Sequence, residues 1–174
     1  MSDNLSRRRY LAGTGAALTI GTLAGCSGGG DGGDGGDGSD GSDGSGGGNA
    51  AEDVPDEIDE YLSDARMYEG TIMDFTGQDE VTVEVGAGDV GFAFSPAAIR
   101  IDSSTTVVWE WTGNGGAHNV ASVEGSESDF DSGDSVSEEG HTFEQSFDNT
   151  GIQLYQCTPH QANGMLGAIE VVEA

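Results

Sequence analysis

The feature that most restricts the fold of this chain is a series of short apolar runs separated by clusters of Gly, Asp, Ser and Asn. In the first run Val81, Val83 and Val85 alternate with polar residues, which is the pattern of a strand with one buried face. Further runs follow at residues 91–94, 98–101, 105–111, 118–123, 141–147, 151–156 and 168–172. Seven or eight short strands of this kind predict an all-β fold, a Greek-key β-sandwich.

Two other segments complete the predicted domain, which covers residues 56–174. Residues 56–65 follow a proline and begin with acidic side chains. Their apolar residues recur at helical spacing and are Ile58, Tyr61, Leu62 and Ala65. We therefore predict a short N-terminal helix. The stretch between Val123 and Gly140 is acidic and aperiodic, so it predicts a long surface connection between the two halves of the Greek key.

The first 26 residues have the composition of an export signal, in which three consecutive arginines precede a short, mildly apolar run. The run is too short and too weakly apolar to span a membrane. Residues 6–11 (SRRRYL) resemble the twin-arginine signal, with an ordinary basic leader as the alternative. Residues 23–26 (LAGC) resemble a lipobox, in which Cys26 becomes the lipid-modified N-terminus and anchors the protein to the membrane.

Residues 27–55 join this leader to the domain. Between residues 27 and 50 the chain has 13 Gly, 5 Asp and 4 Ser, and it lacks the side chains needed for a core. The Gly-Asp run also lacks the nonapeptide pattern of calcium-binding repeats. We predict a flexible, disordered tether.

The charge of the chain is strongly one-sided. After Cys26 there are 31 Asp and Glu residues against two cations, Arg66 and Arg100, which gives a formal charge of −29 without a single lysine. This excludes a basic nucleic-acid-binding face. Repulsion among so many carboxylates destabilises a compact domain in dilute buffer, but at molar salt the Debye length falls to about 3 Å. The composition therefore predicts a protein of a very salty environment.

The chain has two cysteines, and they cannot form a disulfide if Cys26 carries lipid. The second, Cys157, begins the pattern C-x-x-H-x-x-x-x-M with His160 and Met165, between two predicted strands. A loop that leaves and re-enters one end of a sandwich can bring these side chains to one point. His118, at the start of another predicted strand, completes a ligand set of two histidines, one cysteine and a weak methionine, which is typical of a blue-copper site with one ion. Zinc could occupy the same four groups, but structural zinc sites favour cysteine or mixed cysteine and histidine sets without methionine.

The same residues carry a family resemblance. His118-Asn119-Val120, together with Cys157-Thr158-Pro159-His160 and Met165, resembles the cupredoxins, and specifically the halocyanins of salt-loving archaea. Segments 76–81, 107–111 and 140–143 resemble halocyanins as well, so the likeness covers roughly residues 65–174. Residues 161–164 (QANG) depart from it, because relatives often carry a charged residue there.

The resemblance implies roles for the neighbours of the four ligands. Asn119 is expected to tie the His118 strand to the loop through Thr158, and to support the Cys157 sulfur. Pro159 has no N–H and stiffens the loop. His160 is the expected electron port. The apolar contact patch expected around it comprises Pro159, Ala162, Met165 and Leu166. His141 is predicted to be an ordinary surface residue.

Taken together, these features predict a monomeric, membrane-anchored one-electron carrier on the extracytoplasmic face of the membrane. It would cycle copper between Cu(I) and Cu(II) and exchange electrons with proteins of a respiratory chain, without being an enzyme. One alternative is a copper carrier or storage lipoprotein with the same ligands. A structural sandwich of the cell surface would use the tether and lipid equally well. A copper enzyme would need a second centre, and three histidines are too few for one.

The charge imbalance generates a direct prediction about salt. We expect the thermal midpoint of unfolding to be higher in molar KCl than in dilute buffer, because salt screens repulsion among the carboxylates. Scanning calorimetry at fixed pH measures both values, and KCl avoids the general stabilisation that sulfate or phosphate would add. A higher midpoint at low salt would show that the prediction is wrong.

Overall fold

Two β-sheets enclose the core of the protein in a computed structural model that describes residues 47–174. In chain order the elements are β1 (Asn49–Ala51), α1 (Asp56–Tyr61), β2 (Ile72–Asp74), β3 (Glu80–Ala87), β4 (Ala93–Ser95), β5 (Ala98–Asp102), β6 (Thr106–Trp111), β7 (Ala121–Ser122), β8 (Thr142–Ser146), β9 (Gly151–Gln156), a 3₁₀ helix (Thr158–Asn163) and β10 (Leu166–Val172). The predicted all-β sandwich is confirmed. The leader, Cys26 and most of the predicted tether lie outside the described residues.

The sheets differ in size and in strand direction. The six-stranded sheet has the order β1-β2-β5-β10-β9-β7, and the four-stranded sheet has the order β4-β3-β6-β8. Strands β2 and β5, β5 and β10, and β3 and β6 pair in parallel, whereas the other neighbours are antiparallel. Because β9 and β10 are adjacent, the chain between them must leave and re-enter the same end of one sheet.

The alternating residues recognised in the sequence form the core between the sheets. Val81, Val83 and Val85 of β3 are buried there with Trp109 and Trp111 of β6. The six-stranded sheet is also covered on its outer face. Helix α1 packs on that face in a second apolar cluster, which includes Ile58, Leu62, Ile72, Ala98, Leu154 and Ala168. Strands β5 and β10 therefore contribute apolar residues to both faces, Ala98 and Ala168 on the outer one and Ile99 and Ile169 on the inner one.

Arg100 organises the edge where the N-terminal segment joins the six-stranded sheet. Its Nε donates to Glu170 on β10 at 2.6 Å, and its guanidinium lies 3.6 Å from Asp74 on β2 and 3.3 Å from Asp53. The arginine side chain is only 14% exposed, so this contact is shielded from salt better than a surface ion pair is. The carboxylates of Asp53, Asp74 and Glu170 would repel one another without the guanidinium between them.

Two boundaries on the N-terminal side differ from the predicted ones. Helix α1 ends at Tyr61 rather than at residue 65, because the N–H groups of Ser63 and Ala65 close tighter turns and Arg66 N–H bonds to Gly164 instead. The predicted tether reached residue 55, but residues 49–51 form strand β1, antiparallel to β2. Ala51 and Val54 pack into the second cluster, which gives this short segment enough apolar contact to be ordered.

The segment from residue 118 to residue 140 also differs from prediction. Only β7 forms within the strand expected over residues 118–123, because His118 pairs with Val136 in an isolated bridge and Ala121 pairs with Asp131. The acidic connection is therefore not purely a surface loop. Phe130 is buried in the main core and stacks on Trp109, so this connection closes one side of the sandwich.

Residues 47–174 form ten strands, where seven or eight were expected. The difference comes chiefly from β1 and β2, which have three residues each and no alternating pattern long enough to detect. Among residues 47–174, no helix has both the length and the apolar character required to cross a bilayer.

Gly167 permits a close cross-strand contact, and this generates a stability prediction. Gly167 on β10 is the register partner of Tyr155 on β9, and a Cβ atom at 167 would overlap the Tyr155 ring. We expect Gly167→Ala to lower the free energy of unfolding by about 3 kcal/mol, since the ring is fully buried and cannot move aside. Denaturant titration in molar KCl measures the change.

Gly47→Ala is the matched control, because no atom lies within 4 Å of a Cβ at that position. It should unfold like the unsubstituted chain. Equal midpoints for the two variants would contradict the packing argument.

Candidate metal centre

His118 is held by hydrogen bonds to its backbone and to its ring. It follows a glycine-rich turn, exchanges two backbone hydrogen bonds with Val136, and accepts at its carbonyl a hydrogen bond from Trp111 Nε1 at 3.1 Å. The ring Nε2 lies 2.8 Å from the Asn114 carbonyl oxygen, to which it donates. This contact fixes the tautomer that leaves Nδ1 without a proton and able to bind a metal.

Cys157, His160 and Met165 lie on the chain between β9 and β10, which we call the ligand loop (residues 157–165). Cys157 precedes the 3₁₀ helix, which carries His160 and ends at Gly164 in a left-handed conformation, φ +81°. Cys157 N–H donates to the Met165 carbonyl at 3.0 Å, and His160 N–H donates to the Cys157 carbonyl at 3.0 Å. These bonds close the loop at its base, so its ligands stand close together.

Three donor atoms form a nearly equilateral triangle. The Cys157 sulfur lies 3.5 Å from His118 Nδ1 and 3.4 Å from His160 Nδ1, and the two nitrogens are 3.1 Å apart. The point equidistant from all three is about 1.9 Å from each, close to the 2.0–2.3 Å that nitrogen and sulfur keep from a protein-bound metal such as zinc. One metal ion fits between these atoms.

Met165 supplies the fourth side chain of the predicted set. It is fully buried in the same core cluster as Cys157, and its backbone bonds to both Cys157 and His160. A thioether so placed is a soft, weak ligand, whereas the two imidazoles and the thiolate are strong ones. The donors match copper, for which sulfur suits Cu(I) and imidazole suits both oxidation states.

Burial dominates the electrostatics of the site. It lowers the pKa of His118, against the opposing effect of the Asn114 carbonyl, and the nearby His160 lowers the pKa further. Burial raises the pKa of the Cys157 thiol, although the backbone N–H groups of Asn119 and His160 act in the opposite direction. The imidazole is thus ready to bind a cation, while the thiol must lose its proton on binding.

Asn119 links the two segments that carry the ligands. Its Nδ2 donates to Thr158 Oγ1 at 3.1 Å, and its Oδ1 accepts from Thr158 N–H at 2.8 Å. These two bonds join the residue after His118 to the residue after Cys157. Pro159 occupies the first turn of the 3₁₀ helix, where no N–H is required.

The surface at the site differs in part from the expected contact patch. His160 is half-buried, Pro159 and Ala162 are exposed, and Leu166 is half-buried against the second apolar cluster. Met165 does not belong to this surface, because it is fully buried. His141 is half-buried and packs edge-on against Trp111, with ring centroids 4.8 Å apart.

Several residues that contact the site were not found from the sequence. Phe92 stacks on His160 with ring centroids 4.3 Å apart and an interplanar angle of 22°. Gly86 has φ +89°, and a Cβ there would lie 3.3 Å from His118 Nε2, so the glycine makes room for the ring. Of these residues, only Gly86 has a signal in the sequence, because it ends the alternating run of β3.

A cysteine, two histidines and a methionine gathered at one end of a two-sheet sandwich define the cupredoxin class of copper proteins. Comparison with known proteins agrees. The model of the copper-binding proteins of the plastocyanin/azurin family matches residues 80–172. A halocyanin from Natronomonas pharaonis is 58% identical over 171 residues, which cover 97% of this chain and 98% of that protein.

More distant relatives match about half of this chain. Plastocyanin from Scenedesmus fuscus is 32% identical over 99 residues, 53% of this chain and 99% of that protein. The oxidised plastocyanin of Dryopteris crassirhizoma has a TM-score of 0.45 and 26% identity over 53% of this chain and 100% of its own. The chain belongs to the plastocyanin/azurin family of copper-binding proteins, as a halocyanin-like cupredoxin with one type 1 copper.

The double contact of Asn119 generates a prediction. We expect Asn119→Ala to weaken copper binding about tenfold, or to shift the reduction potential, because it frees Thr158 from the His118 segment. Competition with a chelator measures the affinity, and voltammetry measures the potential.

Asn149→Ala is the control, since Asn149 is exposed and bonds only to Ser128 outside the site. If affinity and potential were unchanged in Asn119→Ala, this asparagine would have no part in holding the copper site.

Proposed function

We propose that this chain is a one-electron carrier of a membrane electron-transfer chain. The observation that carries the proposal is the triangle of donor atoms, whose sides are 3.1–3.5 Å. Its corners come from two segments that are fixed by packing and hydrogen bonds, so both oxidation states of a bound ion would meet nearly the same geometry. Electron exchange is fast where the ligands rearrange little.

Bound copper supplies the one-electron couple, and the protein residues decide where the electron enters and leaves. Cys157, Met165 and His118 are inaccessible to solvent, which excludes water from the ligand atoms. His160 is the ligand that reaches the surface, between Phe92 and the exposed residues Pro159 and Ala162. The imidazole edge is thus the shortest route from the site to a redox partner. Carriage of this kind requires no catalytic step.

The residues also argue against a second metal centre in the described chain. His118 and His160 share the site, while His141 packs edge-on against Trp111. Among residues 47–174, His118, Cys157 and His160 are the cluster whose donor atoms could hold an ion. This arrangement favours electron transfer over copper-dependent catalysis.

We propose further that Cys26 carries lipid and holds the domain at the extracytoplasmic face of the membrane. The support is the leader, with its arginine patch, its short apolar run and the LAGC segment. The Gly-rich residues that follow are suited to a spacer between lipid and sandwich. A respiratory chain in that membrane is the proposed source and destination of the electrons.

Two cysteine variants test both parts of the proposal. Expressed with its leader, the chain should take up one Cu(II) and develop strong visible thiolate-to-copper absorption. Cys157→Ser should abolish the colour but leave partition into a detergent phase unchanged. Cys26→Ala should abolish the partition but leave the colour unchanged, so each variant is the control for the other.

Voltammetry compared with copper release separates the alternatives. A reversible one-electron wave with slow release to a chelator supports the carrier. Rapid release with no reversible wave would identify a copper carrier or storage protein. A colourless protein would identify a structural sandwich, and either of these two results would overturn the proposal.

A further inference from the structure

A segment between β1 and β2 contacts the chain at both ends of the ligand loop. We call residues 61–66, which begin with the last residue of α1, the clamp segment. Tyr61 Oη donates to the Tyr155 carbonyl at 2.9 Å, two residues before Cys157. Arg66 N–H donates to the Gly164 carbonyl at 2.9 Å, and Arg66 Nε donates to the Asn163 carbonyl at 2.8 Å. The segment thus binds the chain just before the thiolate ligand and just before the thioether ligand.

The clamp segment has its own attachment to the sandwich. Ile58 and Leu62, on either side of Tyr61, are fully buried in the cluster between α1 and the six-stranded sheet. Burial of these two apolar side chains attaches the segment to the sheet independently of its three hydrogen bonds to the loop. The sheet therefore positions the segment, and the segment in turn positions the loop.

Gly164 is shaped for this contact. A Cβ atom at 164 would stand 2.5 Å from the Asp64 carbonyl oxygen, and the residue has φ +81°. Only glycine allows the clamp segment to approach so closely while the chain turns into Met165. The close approach accounts for a glycine immediately before the thioether ligand.

We propose that the clamp segment fixes the ligand loop around copper, with Arg66 and Tyr61 as positioning residues for Met165 and Cys157. The inference rests on the copper site and on the electron-carrier function proposed above. Both positioning residues lie outside residues 80–172, which the family model matches. Because the axial ligand tunes the potential of a blue-copper site, a segment that holds the residue before Met165 influences that potential.

The Tyr61 hydroxyl remains suited to this role over the working pH range. Burial raises the pKa of Tyr61 to about 12, so the hydroxyl stays protonated and remains a donor. Carbonyl oxygens accept both bonds, so the clamp does not depend on the ionisation of the loop.

The chain offers closely matched variants. Tyr61→Phe removes the bond to Tyr155, whereas Tyr68→Phe makes the same chemical change at a tyrosine that bonds to Asp59 and not to the loop. Arg66→Met removes the bond to Asn163 and keeps both the aliphatic stem and the backbone bond to Gly164. Tyr68→Phe is therefore the control for both.

We expect Tyr61→Phe and Arg66→Met to release copper to a chelator about tenfold faster than the unsubstituted chain. The relative intensities of the thiolate-to-copper bands and the reduction potential should shift with it. Tyr68→Phe should match the unsubstituted chain in all three measurements. A purely structural role would lower the thermal midpoint and leave the bands and the potential where they are, which would overturn the proposal.

Hydrogen exchange in the metal-free protein gives a readout that does not require copper. The amides of Gly164 and Met165 bond within the loop, to Gln161 and His160. They should exchange several-fold faster in Arg66→Met, while amides of β5 remain unchanged. Unchanged exchange and copper release in both variants would refute the clamp even if the voltammetric wave is reversible. An irreversible wave in the unsubstituted chain would refute electron carriage but leave these two measurements as a valid test.

Discussion

The copper site depends on one constraint, the junction of two chain segments that are 39 residues apart in sequence. One carries His118 and the other carries Cys157. Asn119 and Thr158 join them through two hydrogen bonds, and the side chains of both ligands are buried in the main core. Neither segment can move without breaking polar contacts inside a packed interior. The metal geometry is thereby determined by the folding of the sandwich rather than by the ion alone.

The arrangement of strands explains why only one ligand reaches the surface. The ligand loop joins adjacent strands of one sheet, so its base is held by Cys157 and Met165 at the level of the core. The 3₁₀ helix rises from that base and carries His160 outward. Sulfur ligands at the base and an imidazole at the rim follow from the same short connection. A two-residue turn could not carry three ligands.

Sequence reasoning succeeded where the signal was local. The alternation of Val81, Val83 and Val85 identifies a strand, and the spacing of Cys157, His160 and Met165 identifies ligands on one loop. It failed where the order depends on contacts with distant residues. Strand β1 exists because it pairs with β2, and Phe130 is buried because Trp109 provides a surface for it. Neither pairing leaves a periodic pattern in the segment itself. The contact of Phe92 with His160 is of the same kind.

The two arginines of the sandwich show how such an acidic chain uses positive charge. In a salty medium interactions beyond a few ångströms are screened, so a cation is effective only in direct contact. Arg100 binds three carboxylates at the edge where β1 and Asp53 meet the sheet, and Arg66 bonds to the ligand loop. Both contacts fasten the segment that leads from the N-terminal residues to the sandwich.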